Sequence, residues 1–343
     1  MRITSVDTLR LFAIIAVIAI HTEPFKQNNT EFNAIYFYLH IGINQLARFG
    51  VPFFFVISGY FYGIKLLHGS CPVKVAKAML SRILILYISW CLIYLLPYNS
   101  SVVADYGALG LLKGIYWRLT NIIGEPMVFL FQGSVVHLWF LVSLIICIAI
   151  TAIFVKNNLF KLLITLSVLL YCFGILAKAY SATEIGFNIE FNTRDGPFFG
   201  LIFFVTGYFL AKEKAVTNWL YYGFAVFTVG GFLHFSESFL LMHKYNASLV
   251  NEFVFGTYFM GVGAALMSLS NHKFLSSKIS AGLGKMTLGV YVSHFIFINL
   301  LRPIDQLTNH PVWEICFVVL VLIFSLLLTK LLSMSKLTKK IVE

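Results

Sequence analysis

Arg10 and His21 lie in one apolar run, Asp7-Thr8-Leu9-Arg10-Leu11-Phe12-Ala13-Ile14-Ile15-Ala16-Val17-Ile18-Ala19-Ile20-His21. A guanidinium and an imidazole inside a membrane-type helix are costly to place there and usually serve function. They stand eleven positions apart. At about 100° per residue that is roughly three turns plus 20°, so both fall on one helix face. The rise separates them by roughly 16 Å, about half the hydrocarbon thickness. An imidazole that titrates near neutrality could take a proton from a hydroxyl nucleophile, or could itself accept an acyl group. Arg10 could hold an anionic group or steer the helix. The structural alternative is that Arg10 snorkels to one interface and His21 ends the helix at the other.

Other stretches carry candidate chemistry. Arg48-Phe49-Gly50-Val51-Pro52-Phe53-Phe54-Phe55-Val56-Ile57-Ser58-Gly59-Tyr60 puts Pro52, Ser58 and Gly59 in an aromatic span. That composition suits close helix approach, or a locally broken helix. Lys74, Lys77 and Arg82 near a helix start could bind the phosphates of a nucleotide-bearing donor, or face anionic lipid. His137-Leu138-Trp139-Phe140-Leu141 opens another span. Asn192-Thr193-Arg194-Asp195-Gly196-Pro197-Phe198-Phe199 runs into a further one. Tyr291 and His294 are i, i+3 neighbours in Gly284-Lys285-Met286-Thr287-Leu288-Gly289-Val290-Tyr291-Val292-Ser293-His294. A lone imidazole of this kind is usually a satisfied interior residue. His21, His137, Arg194 and His294 in separate spans point instead to a shared polar interior.

The elements that must position these groups are membrane helices. The 343 residues are 59% hydrophobic and 11% charged, against about 25% charged in soluble domains. The mean hydropathy is +0.86. Apolar runs long enough to cross about 30 Å fall near 8–24, 47–66, 80–97, 136–155, 159–179, 197–211, 217–235, 251–269, 286–302 and 312–333. This predicts an all-α, polytopic integral membrane protein of about ten transmembrane helices. Residues 1–335 read as a single transmembrane domain and 336–343 as a short basic tail. The longest connection, 98–135, reads as an interfacial or re-entrant segment. Cys71, Cys91, Cys147, Cys172 and Cys316 form no CxxC and no metal-type cluster, so neither a disulfide framework nor a metal site is expected.

The net charge of +11 would suggest nucleic acid in a soluble protein. Here the cations sit in short loops and read as topology signals facing anionic lipid. With the N-terminus in the cytoplasm, most of the 25 basic residues fall on the inner side. Both termini are therefore predicted cytoplasmic, with Arg10 toward the inner face and His21 toward the outer. The first span reads as uncleaved.

Taken in order, these motifs resemble a known family. The Arg-x10-His of the first span, Phe-Phe-Phe-Val-Ile-Ser-Gly-Tyr, the basic step before the third span, His-Leu-Trp-Phe and Gly-Val-Tyr-x-x-His look like the acyltransferase 3 family of bacterial inner-membrane proteins. The likeness covers essentially the whole chain. It is nearest to short members without an added soluble domain, of the kind that O-acetylate enterobacterial common antigen. The resemblance implies a multi-pass enzyme of the bacterial inner membrane. It would transfer an acyl group, usually acetyl from acetyl-CoA, to a hydroxyl of a surface or lipid-linked polysaccharide, lipopolysaccharide included. Carried over by motif, His21 is the catalytic histidine and Arg10 its partner. Arg48, Arg82, His137, Arg194, Tyr291 and His294 match further motif positions. Family members often carry Arg-Arg in the basic step, where this chain has Lys77 and Arg82 set apart.

Joined to the topology, the likeness gives a donor side and an acceptor side. Lys74, Lys77 and Arg82 would dock the donor's nucleotide. Arg48, His137, Trp139, Arg194, Tyr291 and His294 would serve the acceptor. A polytopic transporter or exporter of a glycan or small molecule is the rival reading, since a polar interior serves either task. Consumption of acetyl-CoA by the purified protein separates the two. A glycan ligase or polymerase usually relies on larger outer loops. A purely structural role leaves the Arg10–His21 alignment without a purpose.

Overall fold

The computed structural model describes residues 3–26, 33–96, 107–308 and 310–342. Among these the secondary structure is helical, with no strand. The helices are α1 (Thr4–Thr22), α2 (Ala34–Leu46), α3 (Gly50–Leu67), α4 (Pro72–Ile93), α5 (Ala108–Gly124), α6 (Pro126–Gln132), α7 (Trp139–Lys156), α8 (Phe160–Leu176), α9 (Pro197–Leu210), α10 (Trp219–Tyr245), α11 (Phe255–Leu269), α12 (Lys278–Gly284), α13 (Thr287–Leu307) and α14 (Pro311–Ser333). Short 3-10 turns at Ala47–Phe49 and Val136–Leu138 lead into α3 and α7, and another, Thr338–Ile341, follows α14.

Each of the apolar runs read from the sequence becomes a helix, and seven segments are long and apolar enough to cross a membrane. The chain is a polytopic membrane protein. α8, α9 and α11 are shorter, at 17, 14 and 15 residues. A 14-residue helix reaches only about 21 Å, less than the hydrocarbon core. α9 tolerates this because protein surrounds it: Leu201, Phe203 and Phe204 have no exposed surface. Backbone ends at membrane depth are acceptable where protein shields them.

Some boundaries differ from the sequence reading for local reasons. The span expected at 80–97 starts instead at Pro72, which suits a first helical position because its missing N–H is unpaired there anyway. Lys74, Lys77 and Arg82 therefore stand inside α4. The span expected at 251–269 begins at Phe255, where the Thr257 hydroxyl accepts from the Val254 N–H at 2.8 Å and caps the helix. The connection over 98–135 falls partly outside the described residues. Its described part is α5 and α6, where Leu112, Tyr116 and Ile123 are exposed, as an interfacial helix requires. α3 is unbroken: Pro52 lies in its first turn.

The frame is held by close backbone contacts. A Cβ on Gly59 would lie 1.9 Å from the Phe204 carbonyl oxygen, and one on Gly207 1.9 Å from that of Val56. α3 and α9 thus touch backbone to backbone, the use of small residues that membrane helices favour. Gly284, at the end of α12, lies against the start of α1, where a Cβ would stand 1.7 Å from the Asp7 carbonyl oxygen. Gly284→Ala is expected to push α12 off α1 and lower stability by about 1–3 kcal/mol. Thermal unfolding in detergent measures it; an unchanged midpoint would exclude the contact.

Candidate active site

α1 ends at the centre of an imidazole cluster. The His21 ring lies 5.4 Å from that of His294 and 4.8 Å from Phe295, both on α13. The His137 ring lies 5.0 Å from His294, and it stacks on Phe295 at 4.4 Å. Tyr291 completes the group, 5.6 Å from the His137 ring, and its hydroxyl donates to the His137 carbonyl. Three imidazoles that the sequence placed in separate spans thus meet. His21 is partly accessible, whereas His137 and His294 are buried.

The hydrogen bonds set what these rings can do. His294 Nδ1 lies 2.6 Å from the Tyr291 carbonyl oxygen. A carbonyl only accepts, so Nδ1 carries the hydrogen and Nε2 presents a lone pair. Nε2 of His294 and both ring nitrogens of His137 have no partner among the described residues. Buried polar atoms left without a partner are uncommon and cluster at functional positions. The α1 terminus is held from outside the cluster. Arg302 donates to the carbonyl oxygens of His21 and Thr22 at 3.1 and 3.4 Å. A cation at a helix C-terminus satisfies the last carbonyls and complements the dipole, so Arg302 fixes where His21 stands.

A cavity of about 250 Å3 opens from the opposite end of α1. Arg10, Arg82 and Lys285 line it at that end, with Phe54, Ser58, Phe140 and Tyr291 among its walls. Arg10 is paired with Asp7 at 3.0 Å and lies over the Phe61 ring at 5.4 Å. Tyr291 belongs to both structures: it is a wall of the cavity and an edge of the imidazole cluster. The helix face shared by Arg10 and His21 therefore runs from a cationic mouth to a set of bases. Lys74 and Lys77 are exposed and are not among the residues lining this cavity; of the basic step, Arg82 alone lines it.

On the far side of His137, Trp139 leads into a charged cluster. Arg194 lies over the Trp139 ring at 4.9 Å. It bonds Asp195 at 3.1 Å and Glu252 at 2.8 Å, and Lys178 forms a further ion pair with Glu252. Burial alone would raise the Glu252 carboxyl, but Arg194 and Lys178 outweigh it and hold it below the usual carboxylate range. Burial pushes Asp195 up, against the pull of Arg194 and of Gln132, which donates to it at 2.8 Å. Arg48 joins through a separate ladder. Its guanidinium donates to Asn44 Oδ1 at 2.8 Å, the Gln45 amide donates to the same oxygen, and Gln45 Oε1 accepts from His234 at 2.8 Å.

Sequence reasoning named Arg48, His137, Trp139, Arg194, Tyr291 and His294, but not Glu252, His234, Gln45, Lys285 or Arg302 as site residues. His234 had the same signal as His294, an imidazole inside an apolar run. Lys285 stood beside the Tyr291 motif. Glu252 and Arg302 carry no local signal, since each acts on a segment distant in sequence.

Comparison with known proteins adds the family. An acyltransferase domain model, that of acyltransferase 3, matches residues 3–330. A protein of Enterococcus faecalis named "Amino-acid racemase" is 28% identical over 324 residues, covering 89% of this chain and 42% of its own length. A second of the same name and organism is 28% identical over 221 residues, or 61% of this chain and 28% of its own. The chain thus spans less than half of the curated relatives it matches, and the racemase name describes those longer proteins. No solved structure matches. With the domain match running the length of the helical bundle that carries the imidazoles, the chain belongs to the acyltransferase 3 family.

Proposed function

We propose that this membrane acyltransferase moves an acetyl group from cytoplasmic acetyl-CoA to a hydroxyl of a surface or lipid-linked polysaccharide at the bacterial inner membrane. His21 acts as general base or as acyl carrier. The observation that carries this reading is the double membership of Tyr291, in the wall of the cationic cavity and in the imidazole cluster. With the termini cytoplasmic, the mouth lined by Arg10, Arg82 and Lys285 faces the side where an anionic donor is found. The cluster of Arg194, Glu252 and Trp139 faces the acceptor. The thioester end of the donor enters along the Arg10–His21 face. His21 takes the proton of the acceptor hydroxyl as that oxygen attacks the thioester carbonyl. The C–S bond then breaks, and the sulfur leaves with the proton as free thiol. In the carrier variant, the His21 nitrogen attacks the thioester carbonyl, the C–S bond breaks and CoA leaves as the thiol with the imidazole's proton; the acceptor oxygen then attacks the acyl group, the C–N bond breaks and the hydroxyl proton returns to the imidazole.

Mass spectrometry of surface polysaccharide tests the reading, using a strain lacking the gene and complemented with wild type or with His21→Ala. Acyl-bearing glycan restored by wild type alone supports it; full acylation with His21→Ala overturns it. Arg10→Lys is expected to lower turnover roughly tenfold at normal expression, because an ammonium reproduces neither the planar contact over Phe61 nor the fork geometry of a guanidinium. The rate of free CoA release in proteoliposomes is the measure, and unchanged turnover would rule out a geometric role for Arg10.

A further inference from the structure

α13 carries a buried imidazole, His294, that the acyl-transfer steps leave unused. It has no exposed surface, and its Nδ1 donates to the Tyr291 carbonyl oxygen at 2.6 Å, three residues back on the same helix. That bond fixes the tautomer, so Nε2 holds a lone pair. It also turns the bonded edge of the ring toward its own helix and leaves Nε2 away from it. Nε2 is buried and has no hydrogen-bond partner among the described residues. A buried acceptor in that state is costly, and a donor that arrives with a ligand relieves the cost. His294 also stands within ring contact of both other imidazoles. His21 lies 5.4 Å from it and His137 5.0 Å, centre to centre. A hydroxyl oxygen about 2.9 Å from a nitrogen on each of two rings bridges a gap of up to roughly 5.8 Å. The centres of the His21 and His294 rings, 5.4 Å apart, fall inside that reach.

A histidine that carries an acyl group creates a need for a second base. Once its nitrogen is bonded to the acyl carbon, that nitrogen has no free lone pair, and the ring's other nitrogen is set away from the acyl carbon. The acceptor hydroxyl then requires a base on a neighbouring side chain. We infer that His294 is that base: its Nε2 takes the proton of the acceptor hydroxyl while the oxygen attacks the acyl carbon held on His21. The C–N bond to His21 breaks, its electron pair returns to the His21 nitrogen, and the proton passes from His294 to that nitrogen. Both imidazoles are then neutral, His21 is ready for the next thioester, and no further reactant is consumed. The inference rests on the acyl-transfer reading above and takes its carrier form. Tyr291 ties this base to the donor side, since it lines the cavity shared with Arg10 and also supplies the carbonyl that sets the His294 tautomer.

The full chain is reconstituted in liposomes and given radiolabelled acetyl-CoA, first alone and then with membrane extract of a strain lacking the gene, which supplies the acceptor. His294→Asn keeps an amide N–H for the Tyr291 carbonyl but offers no base; His294→Gln removes the base with a longer side chain. Both are expected to gain label on His21 within about threefold of the wild-type rate, and to pass it to glycan roughly a hundredfold more slowly, the scale of a lost general base. Hydroxylamine attacks an acyl-imidazole without help from a base, so it should discharge the labelled variants within about twofold of wild type. A merely structural defect would slow labelling and both discharges together. Glycan transfer by both variants within about threefold of wild type overturns the inference. So does hydroxylamine discharge slowed as much as glycan transfer, or loss of labelling in both variants. Labelled glycan with no label on His21 of wild type overturns it as well, while acyl transfer itself stands. Wild type that consumes no acetyl-CoA sinks the acyl-transfer reading, a result distinct from all of these.

Discussion

His21→Ala is expected to cut acyl transfer by roughly 10²- to 10⁴-fold, the usual contribution of a positioned acid–base group, while the protein stays folded. The effect is large because the neighbouring imidazoles are held in other positions. His294 is the next imidazole, with its ring centre 5.4 Å away; its Nδ1 bond to the Tyr291 carbonyl holds the ring on α13, so its free Nε2 stays where it is and does not take the place of the His21 ring. Folding should persist because α1 is tied down elsewhere, by Ser5 to the Ser268 carbonyl oxygen at 2.6 Å and by Arg302 to its final carbonyls. The assay is CoA release and acyl-glycan formation by reconstituted protein, with thermal unfolding as the control. Transfer within threefold of wild type would remove His21 from the chemistry. Incubation with acetyl-CoA and no acceptor then separates the two roles. A carrier gains the mass of one acetyl group on the peptide holding His21, and a general base gains none.

Much of this geometry is legible in the sequence, and the illegible part has a common cause. Arg10 and His21 share a face because helical rise and twist fix it, and apolar runs locate the helices. Imidazoles inside such runs flag their own cost, which is why His21, His137 and His294 stood out. The start of α4 did not, since its first turns are amphipathic and Lys74 and Lys77 dilute the apolar signal. Loop charge tells which end of the bundle a cation occupies, but not which cations of that end meet. Arg82 meets Lys336, Lys339 and Lys340 around one groove, whereas Lys74 and Lys77 stand outside it. The same limit hid Arg302 beneath the end of α1 and Glu252 beside Arg194. These pairs are set by how helices distant in the chain cross, and no local pattern records that.

Arg194→Ala is expected to cost about 3 kcal/mol of stability, the scale on which breaking a buried ion pair acts, and to lower acyl transfer as well. Its side chain is only 14% exposed and answers two carboxylates at once, Asp195 and Glu252. Without it Asp195, 2% exposed, keeps the Gln132 amide as its side-chain donor among the described residues, and Glu252 keeps Lys178. The penalty comes chiefly from the acids left behind, so Arg194→Ala/Glu252→Gln should recover part of it; strictly additive losses would show that the two side chains are not coupled. The pH dependence has a definite sign. The folded Glu252 carboxyl lies below its unfolded value of about 4.3, held there against burial by Arg194 and Lys178. Its contribution is therefore complete above that value and is lost as pH falls through the lower, folded one. Unfolding midpoints in detergent from pH 7 to 3 should fall at the acid end in wild type and fall less in Glu252→Gln. Loss of transfer in Arg194→Ala follows from Trp139, which lies under the guanidinium and follows His137 by two residues. Once the cation is gone, the indole keeps Phe55, Phe140 and Phe199 but loses the contact on its charged side, so the expected loss of transfer is modest beside that of His21→Ala.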